Sequence, residues 1–342
     1  MTSSTAGNGT LLISDREIHQ LLPMGECIEV MRQALESVAQ GTSVLPLRTV
    51  LRLEGTTNAF ASMPAVYGTG ADAAIGAKVI TVFPGNDATP FDSHIGVVLL
   101  FDAQHGSLLA ILDASSITAI RTAAVSGLAT RLLANDDADE VALLGAGVLA
   151  RPHLDAMCEA RPIKRVRVWS RNQARAESFA AKARARHDVD VRVSPSARDA
   201  VTDAPIVCTI TSSRTPILEG AWLARGAHVN AVGASMSSAR ELDAAAVRSS
   251  LLFVDRRESA LAEAGDFLMA RAEGAVDDAH IRGEIGELSL GSIAGRTSHS
   301  DITLFKSLGL AVEDVATAQY VNARARERKL GTSVMLGGMR AE

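Results

Sequence analysis

Three cations interrupt apolar runs, where an unpaired charge is costly to bury: Arg48 in PLRTVL, Lys78 in IGAKVITVF and Arg121 in ITAIRTAAVSG. A guanidinium grips a carboxylate in bidentate fashion, so Arg48 and Arg121 suit a small acid. A lysine whose pKa is lowered by burial and positive neighbours can protonate or polarise an imine, and Lys78 is the candidate. Each cation alone also reads as a surface residue with a snorkelling stem. Three of them flanking one expected cleft argue for a clamp. His94, in FDSHIGVV, reads either as a proton relay or as a structural histidine at a strand start.

A second constellation lies in VALLGAGVLARPHLDAM, residues 141–157. A dinucleotide turn needs one glycine for the bend, a second for backbone approach to the pyrophosphate and a small residue where helix meets strand. Gly145, Gly147 and Ala150 fill those places, with Ala146, Val148 and Leu149 completing the turn. The helix that follows offers N–H donors and the positive end of its dipole. NAD sites usually carry an acid at the end of the next strand, for the ribose 2′-hydroxyl. VRVWSRN has Ser170 and Arg171 there. A hydroxyl and a guanidinium suit a 2′-phosphate, so NADP is expected, with NAD the alternative. The competing reading gives Arg171 to a basic surface shared with Lys164, Arg165 and Arg167.

Other chemistries lack their motifs. The eight histidines form no HxxxH or HExxH pattern, and Cys27, Cys158 and Cys208 are far apart, so no metal site is expected. No GxSxG elbow supports nucleophilic hydrolysis. A net charge of -5 gives no reason to expect nucleic acid or anionic membrane as a partner. No apolar run reaches the ~20 residues that span a bilayer. The first ten residues, MTSSTAGNGT, read as a disordered leader without the features of a signal peptide. A cytoplasmic enzyme is expected.

The elements that must position these residues follow from periodicity. The 342 residues allow one large or two ordinary domains. Residues 26–40 place Ile28, Met31, Leu35 and Val38 at helical spacing, with Gly41 as the stop. From 47 to about 112, short β-like runs broken by Gly, Pro and Asn predict a largely antiparallel sheet, with a hairpin turn at Ala103–Gly106. Residues 115–134 form a long helix capped by Ser115 or Ser116. From 140 to about 256, strands alternate with helices, the signature of a parallel doubly wound sheet. The tail from Asp301 reads as two helices joined near Gly309, with Asp301 capping the first near Thr303.

RTV around Arg48, the spacing of Lys78 and Thr81, SHIGVVLLFD, ITAIRTAAVS, LLGAGVLA, VWSRN, HVNAVGAS, REL, FVD and TLFKSLGLAVED together resemble the ornithine cyclodeaminase/mu-crystallin family. The likeness runs over nearly the whole chain after residue 10. It implies an α/β protein: a Rossmann-type NAD(P)-binding domain, 119–304, and a discontinuous α+β dimerisation and substrate domain. The latter would comprise 11–118 and C-terminal helices, 305–342, returning to it. The resemblance implies a homodimer with the active site in the cleft between domains. Arg48 and Arg121 would hold a substrate carboxylate and Lys78 would sit at the reacting carbon and its nitrogen. Thr81, Val232 and Gly233 would neighbour the nicotinamide or substrate. The cyclodeaminases carry an aspartate two places after Gly233, where this chain has Ser235.

That departure favours reduction of an α-imino acid such as pyrroline-2-carboxylate or piperideine-2-carboxylate, or the reverse amino-acid dehydrogenation. The alternatives are a cyclodeaminase that makes proline and ammonia from ornithine, and a non-catalytic NADP-dependent binding protein.

Overall fold

The computed structural model describes residues 9–337, leaving aside the side chains of residues 87 and 88. The chain divides into two compact units, Met1–Arg121 with Leu310–Glu342, and Thr122–Gly309. The expected breaks after 118 and 304 precede the observed ones, after Arg121 and after Gly309.

In the first unit, strands β1 (Thr10–Ile13), β2 (Thr49–Arg52), β3 (Ala59–Tyr67), β4 (Ala74–Val82), β5 (His94–Asp102) and β6 (Leu108–Asp113) join a terminal strand, Thr332–Val334. The sheet runs terminal strand–β1–β6–β5–β4–β3–β2 and is antiparallel except where β1 meets β6. The hairpin expected at Ala103–Gly106 joins β5 to β6, where the Asp102 carboxylate accepts N–H groups from Gln104, His105 and Ser107. The leader reading is corrected in part. Residues 1–8 lie outside the described residues, but Thr10 already belongs to β1, and its hydroxyl donates to the Leu108 carbonyl.

Alternation decides which strand side chains meet the core. Along β4, Ala74, Gly76, Lys78 and Ile80 are the more enclosed residues, whereas Ile75, Ala77, Val79 and Thr81 point to the opposite face. Helix α1 (Asp15–Leu21), helix α2 (Met24–Ala39) and a long C-terminal helix, Ala311–Arg328, pack in this unit. The C-terminal helix lies over β3 to β6 and against α2. Gly76 admits it, since a Cβ there would stand 2.9 Å from Val315 Cγ2 and 2.6 Å from the Leu99 carbonyl oxygen. Ile28, Met31 and Leu35 of α2 are buried, and Gly41, at φ +70°, follows its C-cap. Each such aliphatic burial contributes about 1.5–3 kcal/mol.

The second unit holds β7 (Glu140–Leu144), β8 (Arg165–Trp169), β9 (Asp190–Val193), β10 (Ile206–Thr209), β11 (His228–Ala231), β12 (Leu251–Val254), β13 (Ile281–Glu284) and β14 (Thr303–Lys306). They pair in parallel in the order β13–β12–β14–β11–β10–β7–β8–β9. β10, β11 and β14 are buried along their whole length, as strands covered on both faces must be. Helices intervene: α3 (Ala114–Leu133), within which the unit boundary falls, α4 (Ala150–Ala160) and α5 (Gln173–Arg186) among them. From β7 the chain builds outward through β8 and β9, then returns to lay β10 on the other side of β7. In an open α/β sheet that reversal is where ligands bind, at the carboxyl ends of the strands.

Three local expectations are corrected. Thr303–Lys306 is a strand between β11 and β12, so the tail carries one long helix and not two. TLFK is too short and too apolar to distinguish a buried strand from a helical turn by periodicity. Asp301 caps no helix; its carboxylate closes a turn by accepting the N–H groups of Thr297 and Ser298. Asp113, and not either serine, caps α3, accepting the Ser116 N–H at 2.7 Å. Among the described residues no helix is long and apolar enough to cross a membrane.

Candidate active site

In the first unit, β4 and α3 carry Lys78 and Arg121 into a nearly dry environment, 2% and 3% exposed. The C-terminal helix meets them with two acids in its first turn, Glu313 and Asp314, which are equally buried. Asp314 bridges the two cations: Oδ2 lies 2.7 Å from Lys78 Nζ, and Oδ1 accepts from Arg121 Nε at 3.0 Å. Arg121 Nη1 also donates to Glu313 Oε2 at 2.7 Å. Lys78 further reaches the Thr118 hydroxyl of α3, at 3.4 Å.

This alters the picture of a clamp built from cations alone. Arg121 is already engaged by two carboxylates of its own chain, and Lys78 by one. A buried pair of this kind is retained only when geometry and hydrogen bonds offset desolvation. Here the helix N-terminus adds its positive dipole end beneath both acids.

The electrostatics place Arg48 and His94 in the same neighbourhood. Burial, above all, and the Arg121 charge lower the Lys78 pKa to about 8; Asp314 opposes them and Arg48 adds a smaller push downward. Arg48 is half-buried just ahead of β2. His94 opens β5, with Nδ1 3.0 Å from the Ser93 hydroxyl. Lys78 pairs with Val98, four residues along from His94, so both side chains lie on one face of the sheet. His94 keeps solvent exposure, yet desolvation by the surrounding protein, and then the Lys78 charge, hold its pKa below the ordinary value.

Thr81 does not join them. It lies three residues beyond Lys78 on an unbroken strand, so it faces the other side, in a row with Leu51, Phe60 and Ile95. Its hydroxyl donates to the Ile95 carbonyl. The spacing between Lys78 and Thr81 carried the family likeness, but parity separates the two side chains.

In the second unit, the turn after β7 stands at the sheet's reversal point. Gly145 has φ +129°, and a Cβ there would lie 2.8 Å from the Ile210 carbonyl oxygen beyond β10. Its N–H bonds the Trp169 carbonyl at the end of β8. A Cβ at Gly147 would meet nothing, so the backbone there is open to close approach, while Ala150 is fully buried where α4 packs. Val148 is exposed. His153 Nδ1 lies 2.8 Å from the Leu149 carbonyl oxygen and fastens the turn to the helix. These residues fit a dinucleotide pyrophosphate: an open glycine, a small packing residue and a helix N-terminus.

At the end of β8, Ser170 is half-buried and Arg171 exposed, just before Asn172 caps α5 through Oδ1. Lys164, Arg165 and Arg167, by contrast, pair with Asp139 and Glu140 at the opposite ends of the strands. Arg171 therefore does not share their acids. Val232 and Gly233 follow β11. Val232 is 7% exposed, and the Gly233 N–H donates to Glu241 Oε2 at 2.8 Å. Ser235 is half-buried two places on.

Glu241, in the REL motif, is a residue the sequence reading passed over. Besides Gly233 it accepts the Thr211 N–H at 2.7 Å and the Thr211 hydroxyl at 2.6 Å, tying the loops after β10 and β11 together. Asp266 accepts the N–H groups of Glu241 and Leu242 and pairs with buried Lys306 at 2.8 Å. Lys306, Asp266, Glu313 and Asp314 all interrupt apolar stretches. Like the three cations, these four stand out in the sequence as charges within apolar runs.

Residues 9–329 match the family model described as the ornithine cyclodeaminase/mu-crystallin family. Ketimine reductase mu-crystallin of Mus musculus is 41% identical over 298 residues, 86% of this chain and 90% of that protein. A solved structure of Thermococcus litoralis Delta(1)-pyrroline-2-carboxylate reductase, in complex with NADH and L-proline, superposes with a TM-score of 0.92 at 36% identity, covering 95% of this chain and all of that one. An archaeal alanine dehydrogenase dimer with bound NAD gives a TM-score of 0.89 at 28% identity, over 96% and 99% of the two chains. The chain belongs to the ornithine cyclodeaminase/mu-crystallin family.

Proposed function

We propose that this chain is a nicotinamide-dependent oxidoreductase that reduces a small α-imino acid to the amino acid, with Δ1-pyrroline-2-carboxylate the candidate substrate, or catalyses the reverse dehydrogenation. One observation carries the reading most directly. A lysine buried to 2%, with its pKa lowered to about 8, stands with Arg121 and Arg48 on a chain whose other unit presents a dinucleotide turn. A group titrating near neutral pH is suited to proton transfer. The reductases named above support the same chemistry.

NAD(P)H, when bound, supplies the hydride. Gly145 to Ala150 would hold its pyrophosphate, and Val232, Gly233 and Ser235 would border the nicotinamide end. Arg48 and Arg121 would orient the substrate carboxylate, and Lys78 would give the proton to the imine nitrogen. Positioned charges of this kind lower the barrier by orientation and electrostatic stabilisation. Ser170 and Arg171, neither of them an acid, favour NADP over NAD.

Cyclodeamination is disfavoured because the site lacks the acid that would handle a second amine. Ser235 stands where the cyclodeaminases carry an aspartate, and the nearby Glu241 carboxylate already accepts three hydrogen bonds. Oxidation of NADPH and NADH should be followed against cyclic and linear imino acids, beside ammonia release from ornithine. Imine-dependent oxidation faster with NADPH is expected. Ammonia release without net cofactor oxidation would replace the reading with cyclodeamination.

A homodimer is part of this proposal. The face of the first unit's sheet opposite the C-terminal helix exposes Leu12, Leu51, Phe60, Ile75 and Ile95. Apolar side chains exposed together, and not singly, mark an interaction surface, and one solved relative is a dimer.

A further inference from the structure

We propose that Asp314 is a positioning residue for imine reduction: from the first turn of the C-terminal helix it holds the Lys78 ammonium and the Arg121 guanidinium in one arrangement, so that Lys78 presents its proton to the imine nitrogen. The inference rests on the reading of Lys78 as the proton donor.

The geometry is that of a bridge. Asp314 is fully buried, and its two oxygens are divided between the cations, Oδ2 to Lys78 Nζ at 2.7 Å and Oδ1 to Arg121 Nε at 3.0 Å. Lys78 and Arg121 come from a strand and a helix in the first half of the chain; Asp314 arrives from the last tenth. Nothing local in sequence would hold the three together. Glu313 pairs with Arg121 at 2.7 Å and so supports that side of the bridge.

The charged and polar groups around Lys78 define what Asp314 must do. Arg121 and Thr118 face it from α3, Asp314 and Glu313 from the C-terminal helix, Arg48 from the segment before β2, and His94 from the start of β5. Burial and the two arginines all favour a neutral amine, whereas the Asp314 carboxylate favours the ammonium. Burial pulls the Asp314 carboxyl upward, but the Arg121 charge, and then Lys78, keep it below the usual range.

In the reduction, the imine carbon gains a hydride and the C=N π pair becomes the new N–H bond. The proton for that bond leaves Lys78 Nζ, whose N–H bond breaks to leave a neutral amine. Lys78 then regains a proton from water. The step therefore needs Lys78 protonated at the outset, and rate falls as pH rises through its pKa.

Asp314→Asn removes the one interaction of the bridge that favours the ammonium. An opposite charge at this distance is worth about 1–3 pKa units, so the alkaline limb of kcat/KM should move from about pH 8 toward acid by that amount. At pH 7.5 the loss should run from about threefold, if the limb moves by about one pH unit, to about two-hundredfold, if it moves by about three, and should shrink as pH is lowered. Thermal unfolding and NADPH fluorescence titration establish that the variant is folded and binds cofactor. A rate reduced equally at every pH, with the limb unmoved, would make Asp314 a structural residue only and overturn the proposal while leaving Lys78 its role. Lys78→Met at undiminished rate would overturn the underlying reading as well. Should Asp314→Asn not fold, Asp314→Glu decides: it keeps the charge but lengthens the arm. Reduced kcat with the limb at its wild-type pH is expected, and a limb displaced despite the retained charge would contradict the proposal.

Discussion

Lys78 is the residue on which the chemistry turns. Its Nζ is 2.7 Å from one carboxylate and enclosed by protein, and its ordinary pKa of 10.5 is lowered to about 8 by burial and by Arg121. General acid catalysis by one positioned group contributes about 10²–10⁴-fold. Lys78→Met should therefore lower kcat by about that factor while leaving the dissociation constant for NADPH, measured by fluorescence, close to wild type. Equal losses in the two would remove Lys78 from the reaction and make it a packing residue. The candidate cations were legible in the sequence because each broke an apolar run. Their partners were not, since Glu313 and Asp314 lie about 190 positions downstream of Arg121 and no local pattern pairs residues so distant.

At the scale of elements, the phosphate turn works through one backbone geometry. Gly145 holds φ +129° against the Ile210 carbonyl, a conformation and a clearance that a side chain denies. Gly145→Ala should weaken NADPH binding at least about tenfold through displacement of the turn, with the unfolding temperature lowered by a few degrees. An unchanged affinity would show that the turn does not hold the cofactor. This turn was readable because a strand, two glycines and an alanine in sequence specify it locally. The doubly wound order around it followed from alternation of strand and helix. β1, the terminal strand and β14 were missed for the opposite reason. Each is three or four residues long, and its pairing partner, not its own periodicity, makes it a strand. Thr81 shows a related limit, for a motif places residues along a strand but only the pleat decides which face they share.

For the molecule as a whole, two titrating groups and one surface bear on stability and assembly. His153 and His228 are fully buried, and burial lowers their pKa values to about 4 and about 3. Because the folded values lie below the ordinary 6.5, the unfolded chain takes up protons that the folded unit refuses. Their contribution is intact above pH 6.5 and is lost as pH falls, toward about 4 for His153 and about 3 for His228, by on the order of a few kcal/mol each. Denaturant midpoints should fall over that window and fall less in His153→Gln; a flat profile would mean the rings are protonated in place. The open sheet face predicts assembly. Phe60→Asp, at a residue 39% exposed on β3, one strand in from the edge of that sheet, should convert a dimer to monomers in light scattering, and a wild-type monomer would refute the dimer outright. The central claim is that fixed cations grip a small imino acid before a bound pyridine nucleotide, and product stoichiometry tests it most directly. With Δ1-pyrroline-2-carboxylate and NADPH, one proline should form for each NADPH oxidised. Tight NADPH binding with no proline formed from any imino acid supplied would contradict it.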